Sequence, residues 1–576
     1  MRVYAAILSC LLTASAAVAE APADLVLTGG DVYTVDAARS WARAVAVDDG
    51  RVVFVGSEAG VEPWIGPATR VLRLTGRMVL PSFQDAHVHP VSGGVELGQC
   101  NLNDLATSAA VLEKVQACAR EQTGRPWVVG GGWSLPAFPG GAPTKEALDA
   151  IVPDRPVFLS AADGHSGWVN SKALKLAGIT RATPDPKDGQ IERDPKTREA
   201  TGTLRESAMD LVGRLVPSAT AEERLAGLQR ALVLLNRYGI TAVQEASAGT
   251  GSEGGGARAT LGAYREAERR GELTCRVVAA LGTDASRGPE QVDDLVRLRA
   301  EFESDGLKPR AAKIFEDGVI EGRTAAMLEP YLDRPEYRGE PNFPAERLNP
   351  LVARLAEAGF SVHVHAIGDR AIRLALDAFE AAGPRREGRR HQIAHLQVIQ
   401  PIDLPRFRAL GVIANFQPLW AYADDYITEL TWPALGPERS RFMYPIGSLA
   451  RAGAMMAFGS DWSVSSPNPL EAIQVAMTRQ ALKEPKRPPL IPEEAIDLPT
   501  ALAAYTIGSA FANGLERETG SIEVGKAADL IVLSANLFAV NPADLAREKV
   551  LLTLLAGTPV YRDYPEFAEP GEGGRP

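Results

Sequence analysis

Near its start the chain carries apolar residues in runs of four or five, too short for helices and separated by turn residues. Asp24-Leu25-Val26-Leu27, Ala44-Val45-Ala46-Val47, Arg51-Val52-Val53-Phe54-Val55 and Val71-Leu72-Arg73-Leu74 read as strands, with Gly29-Gly30, Asp49-Gly50 and Gly56 as turns. The pattern returns late in the chain, where Gly520 to Leu533 is a turn leading into a buried strand. One small β-sandwich domain built from both ends, residues 20–80 and 516–566, is the expectation. Between them, from 81 to 515, strands alternate with amphipathic helices, the pattern of a parallel sheet. Ala219 to Tyr238 is one such helix, with Leu225, Leu228, Leu232 and Leu235 at helical spacing.

Eight strand candidates can be placed: Met78–His89, Ile240–Glu245, Cys275–Leu281, Ala311–Phe315, Ser361–His365, His391–His395, Val412–Phe416 and Met455–Asp461. Eight βα units predict a (β/α)8 TIM barrel, of the α/β class. The first two strands are separated by far more sequence than a normal connection, so an insertion is expected over about 100–217. It has strand-like runs of its own (Trp127-Val128-Val129, Val157-Phe158-Leu159) and a helix start at Asn170-Ser171.

Residues 1–19 read as a signal peptide. Arg2 precedes an apolar run through Leu12, Ala17-Val18-Ala19 supplies the small–x–small cleavage pattern, and polar sequence begins at Glu20. No later apolar run reaches the ~18 residues of a membrane span. The expected location is periplasmic or secreted. In an oxidising compartment Cys100 and Cys118 are available to pair, and Cys275, in a strand-like run, reads as a buried free thiol. The Gly/Pro-rich end, residues 567–576, is expected to be disordered.

The sequence is 45% hydrophobic and 23% charged, which is ordinary for a globular chain. Its net charge of −11 argues against a nucleic-acid partner, since such proteins present a basic surface. A small-molecule substrate fits better. A homodimer is compatible with the sequence, which does not fix the oligomeric state.

Six of the seven histidines lie at an end of a barrel strand, and the C-terminal strand ends form the active face of such a barrel. His87 and His89 are two apart on the first strand, which puts both imidazoles on one face, able to chelate a divalent cation. Taken alone, an HxH pair is a weak motif and is better read as two structural histidines. Asp85 is expected on the same face, one step lower, orienting a histidine. On the fifth strand His365 is nearer the active end, with His363 packed behind it. On the sixth, His391 and His395 are ~13 Å apart, too far to share a metal, and His395 is at the active end. Asp461, ending the eighth strand, can ligate a metal and take a proton from bound water, or simply cap a helix. Lys313 interrupts an apolar fourth strand. Its two readings are a carbamate ligand formed from the neutral amine and carbon dioxide, or an ordinary ion pair with Glu316, Asp317 or a substrate carboxylate.

These residues resemble the amidohydrolase superfamily, specifically its YtcJ-like branch, which includes N-substituted formamide deformylases. The resemblance is carried by Pro81 to His89, Asp163 to Leu174, Lys313 to Gly318, His365 to Asp369, Gln392 to His395, Phe458 to Trp462 and Gly520 to Leu533. It implies that His87, His89, Lys313, His365, His395 and Asp461 hold one or two divalent ions, zinc by expectation, with Lys313 carboxylated. It implies hydrolysis of a non-peptide C–N bond, an amide such as an N-substituted formamide, with Asp461 as general acid and base. It also suggests His165, Trp133 and Arg323 as substrate-binding residues, against plainer roles as a helix-start residue for His165 and a surface ion pair for Arg323. The chain departs from the branch at Gln392-Ile393-Ala394-His395, where a glutamate more often precedes the histidine. Lactone or ester hydrolysis, ring deamination, and a non-catalytic exported binding protein are the rival readings.

Overall fold

The structure is a computed structural model that describes residues 21–103, 105–186, 189–250, 256–383, 389–484 and 486–563. The signal peptide and the C-terminal tail expected from the sequence lie outside these residues.

Eight parallel strands form the central sheet in sequence order: Phe83–Val88, Ile240–Glu245, Arg276–Gly282, Leu307–Phe315, Ser361–Ala366, Gln392–His395, Ile413–Phe416 and Met455–Phe458. They are referred to below as the first to eighth strands. The eighth strand's continuation closes the ring onto the first. Asp461 N donates to His87 O at 2.7 Å, and His89 N donates to Trp462 O at 2.9 Å. This approach requires Gly459, because a Cβ there would lie 2.5 Å from His87 N. The fold is the TIM barrel expected from the strand count.

Helices cover the outside of the barrel. The one over Ala221–Arg237 starts at a capping box of Thr220 and Glu223 and buries the leucines read from its periodicity, Leu225, Leu228, Leu232 and Leu235. The short helix Ser509–Asn513 plugs the barrel floor. Its Ala510 and Ala512 pack among Ala86, Ala242, Val278, Ile413 and Ala457.

The first strand differs from its expected extent. Met78–Pro81 pairs with Leu530–Leu533 in the terminal domain, and only Phe83–Val88 belongs to the barrel. The terminal domain is one eight-stranded mixed sheet rather than two separate ones. Its strand Leu25–Tyr33 pairs first with Arg70–Arg73 and then with Met78–Pro81, changing partner at Gly29-Gly30. The sheet curls until Ala528 N donates to Gly50 O, enclosing Leu27, Val45, Leu72, Val79, Val532 and Leu552. Arg276 and the buried Asp529 tie this domain to the third barrel strand at 2.8 Å.

The insertion carries a six-stranded sheet of its own, from Cys100–Asn101 to Ala200–Glu206, with the helix Ser171–Leu176 capped by Asn170. Cys100 and Cys118 form a disulfide across it. Cys275 is a buried free thiol whose pKa burial pushes up to about 12, so it is inert.

Candidate metal-dependent active site

Polar side chains from five barrel strands and the end of the eighth meet at the mouth. His87, His395 and Asp461 each offer a ligand atom, all within 4.8 Å of one another. His89 Nε2 lies 3.1 Å from Asp461 Oδ1, and Lys313 Nζ lies 3.3 Å from His87 Nε2. The His365 ring is 4.5 Å from that of His395. The six residues named from the sequence thus share one buried cluster. Two of them have left-handed backbones, His395 at φ 74° and Asp461 at φ 53°. Such strain in non-glycine residues is held only where surrounding structure enforces it, and it gathers at functional sites. Here it turns the ends of two strands so that their side chains enter the mouth.

The donor set suits a divalent cation. Burial pushes His87, His365 and His395 well below the usual imidazole range, leaving neutral rings with lone pairs. His395 Nδ1 is buried without a hydrogen-bond partner, a vacancy that a cation would fill. His365 Nε2 donates to Gly318 O at 3.2 Å, which leaves Nδ1 as its ligand atom. At His89 burial acts downward, but Asp461 and Glu245 outweigh it and lift the ring to about 9. A proton there occupies the field of two carboxylates. Lys313 is fully buried, and burial pulls its amine down to about 7 against the opposing pull of Asp461 and Glu245. Among the described residues it has no ion pair. Glu316 and Asp317, its partners in the plainer reading, are engaged elsewhere or apart. Asp317 accepts the N–H groups of Ala326, Ile367 and Gly368, and both Glu316 oxygens are buried without partners.

Around these residues is a set that sequence reasoning did not assign. Glu245, ending the second strand, faces His89 Nδ1 at 3.3 Å and accepts from Tyr264 Oη at 2.9 Å. Its position at a strand's C-terminal end was the available signal. Trp420 stacks on His395 with ring centroids 5.3 Å apart. His363 is packed behind the site as expected, with Nε2 2.9 Å from His87 Nδ1. His391 stacks on Phe379 at the far end of its strand.

His165 reaches the site from the insertion. Its ring is 5.2 Å from that of His365, and its Nδ1 donates to Glu206 Oε2 at 2.8 Å. Thr324 Oγ1 donates to the other Glu206 oxygen at 2.6 Å. Burial depresses His165, yet Glu206 more than offsets it and lifts the ring to about 9. Glu206 is itself strained, at φ 48°.

Three expectations are corrected. Trp133 does not face the site. It is fully buried in the insertion's core against Phe138 and Trp168, with its indole N–H donated to Leu159 O. Arg323 turns back into its own loop, donating to Asp333, Ile320 O and Glu321 O. Asp85 orients no imidazole. An irregularity between Asp85 and Val88 breaks the two-residue alternation, and its carboxylate accepts from His87 N, Ser460 N and Ser460 Oγ.

Fold and site together define a metal-dependent hydrolase. The profile described as "Amidohydrolase family" matches residues 70–561, and the chain belongs to that family. It is 33% identical to protein LONG AFTER FAR-RED 3 of Arabidopsis thaliana, over 94% of this chain and 92% of that one. It is 31% identical to N-substituted formamide deformylase of Arthrobacter pascens, over 93% and 98%. A solved structure, an uncharacterized metal-dependent hydrolase from Pyrococcus horikoshii OT3, superposes with a TM-score of 0.70 at 26% identity, covering 90% of this chain and 99% of that one. The chain is therefore an amidohydrolase, an enzyme acting on C–N bonds.

Proposed function

We propose that the enzyme hydrolyses a non-peptide amide, with N-substituted formamides as the substrate class. The observation that carries this reading is the convergence of His87, His89, Lys313, His365, His395 and Asp461 in one buried cluster. The deformylase of Arthrobacter pascens, alike over 93% of this chain, supports the choice of substrate. Those six residues would hold one or two zinc ions. Lys313 would do so as a carbamate, a reading supported by its burial, its lack of an ion pair and its closeness to His87 Nε2. A divalent cation held there polarises a carbonyl and acidifies a bound water. Asp461 accepts the proton released from the attacking water and returns it to the leaving nitrogen. His165, held by Glu206, donates a hydrogen bond to the substrate's carbonyl oxygen as negative charge builds on it. Trp420, stacked on His395, and Phe315, with its ring 5.5 Å from that of His365, would supply the apolar side.

The test is a parallel assay of N-substituted formamides, lactones and aminopurines on zinc-replete protein. Formamide turnover is expected. Turnover confined to lactones or aminopurines would overturn the substrate class. Lys313→Ala should lose activity and regain part of it with added acetate, because a free carboxylate can occupy the truncated site. Rescue by Lys313→Arg, with no effect of acetate, would overturn the carbamate. The exported location remains part of this proposal, supported by the Cys100–Cys118 disulfide.

A further inference from the structure

Beneath the cluster runs a chain of buried polar side chains anchored on the main chain. Asn415, on the seventh strand, donates from Nδ2 to Ala86 O at 3.0 Å. A carbonyl oxygen only accepts, so this contact fixes which end of the Asn415 amide is nitrogen. The same Nδ2 donates to Gln392 Oε1 at 2.7 Å, and this turns Gln392 Nε2 toward Gln244 Oε1, 2.9 Å away. Gln244 Oε1 is thereby an acceptor, and it lies 2.7 Å from His363 Nδ1. His363 Nδ1 must carry a proton.

His363 is fully buried and has no acidic partner among the described residues. A buried imidazole without a counter-charge is neutral and has one ring proton, so its Nε2 is a lone pair. His87 Nδ1 lies 2.9 Å from that lone pair and supplies the proton between them. The lone pair of His87 is then on Nε2.

We infer that Asn415, Gln392, Gln244 and His363 form a one-way hydrogen-bond relay that places the His87 ring proton on Nδ1 and keeps Nε2 open for a cation. The relay starts from a main-chain carbonyl, and each amide transmits a single direction to the next group. The four are positioning residues, since all of them are buried beneath the proposed ligands. The inference rests on His87 being a metal ligand, and the first measurement below does not depend on that reading.

Neutron diffraction from perdeuterated, metal-free protein reads the ring positions directly. Deuterium is expected on Nδ1 of both His87 and His363. Deuterium on Nε2 of either ring would overturn the relay. The second measurement is zinc affinity by chelator competition. Gln244→Met removes the acceptor that orients His363 and should weaken zinc binding about 10- to 100-fold, the usual scale for a group that orients a ligand. Gln417→Met is the control. Gln417 is equally buried and donates to Asn415 Oδ1 at 3.2 Å, but it lies off the path, whose direction Ala86 O already fixes. Its zinc affinity should stay at the wild-type value. Equal losses in both variants, or none in either, would overturn the inference. If zinc bound as tightly to His87→Ala as to wild type, the metal reading itself would fail, whatever the neutron map shows.

Discussion

Lys313 is a costly residue in the metal-free protein, and Lys313→Met should stabilise it. The amine is fully buried and pulled from 10.5 down to about 7, chiefly by desolvation. A shift of that size, at 1.36 kcal/mol per pKa unit, corresponds to about 5 kcal/mol of lost stability. The sign follows from proton counting. Between pH 7 and 10.5 the unfolded chain holds a proton on this lysine that the folded chain has released, so wild-type stability rises with pH there. The full penalty is present below pH 7 and is gone by about 10.5. Methionine replaces the stem with little change in volume, and such swaps cost under about 1.5 kcal/mol. At pH 6.5 the EDTA-treated variant should therefore melt higher by roughly 3 °C, because unfolding a 576-residue chain at ~2.1 cal/mol/K per residue moves the melting temperature by only about 0.8 °C per kcal/mol. The gain should shrink steadily toward pH 10. Thermal melts of both proteins at pH 6.5, 8 and 9.5 measure it. An unchanged melting temperature at pH 6.5, or a gain that ignores pH, would refute the reasoning and mean that the amine is compensated in the metal-free protein. The zinc-replete variant should be inactive, so the gain in stability would come with loss of function.

Glu245→Gln should weaken zinc binding about 10- to 100-fold with the fold intact, because a carboxylate facing His89 Nδ1 is replaced by a weaker partner; isothermal titration of the folded variant checks it, and wild-type affinity would remove Glu245 from the site. Zinc affinity should rise with pH up to about 9, because His89 holds a proton below that value which the cation must displace. One displaced proton gives about tenfold per pH unit, and below pH 7 the slope should steepen as Lys313 also becomes protonated. A flat profile from pH 7 to 9 would contradict this. N-terminal sequencing of native protein should find a mature chain starting at Glu20, and an intact Met1 in the cytoplasm would overturn the exported location.

The parts of the site legible in the sequence were those that follow from one strand alone. Position at a strand's C-terminal end identified His87, His89, His365, His395 and Asp461, and an isolated lysine in an apolar strand identified Lys313. What distinguishes His363 from His365 was likewise readable as depth along one strand. The partners were not legible, because they depend on which strands lie opposite across the barrel. Nothing local marks Gln244 as the residue facing His363, 119 positions away. The irregularity that moved Asp85 off the histidine face sits in the pairing between the first and second strands. Trp133 was misread because a glycine-rich string gives no side to its aromatic end, and that end packs inward. The break at Ser82 was hidden because Met78–Pro81 and Phe83–Val88 follow one another as buried strands with a single residue between them, separated only by which sheet each joins.

The insertion explains how a barrel whose proposed ligands lie on its strands or just past their ends can still present a hydrogen-bond donor from above. Strand ends supply side chains that converge from below and from the sides of a substrate. A group that meets the substrate from the outer face must come from a loop, and an isolated loop holds a histidine poorly. Here His165 immediately precedes a strand, Ser166–Val169, that is paired on both sides in a six-stranded sheet, and its own carbonyl accepts from Glu206 N at 3.0 Å. Glu206 ends the neighbouring strand of that sheet and accepts a hydrogen bond from His165 Nδ1. Thr324, from the loop after the fourth barrel strand, holds the other Glu206 oxygen. The dyad is thus clamped between the insertion and the barrel, and the position of His165 relative to His365 is set by both. A shift of the insertion would move the donor but leave the metal ligands where they are. With His165 in the substrate-binding role proposed above, changes in the insertion would alter substrate recognition while the proposed hydrolytic centre on the strands stays fixed.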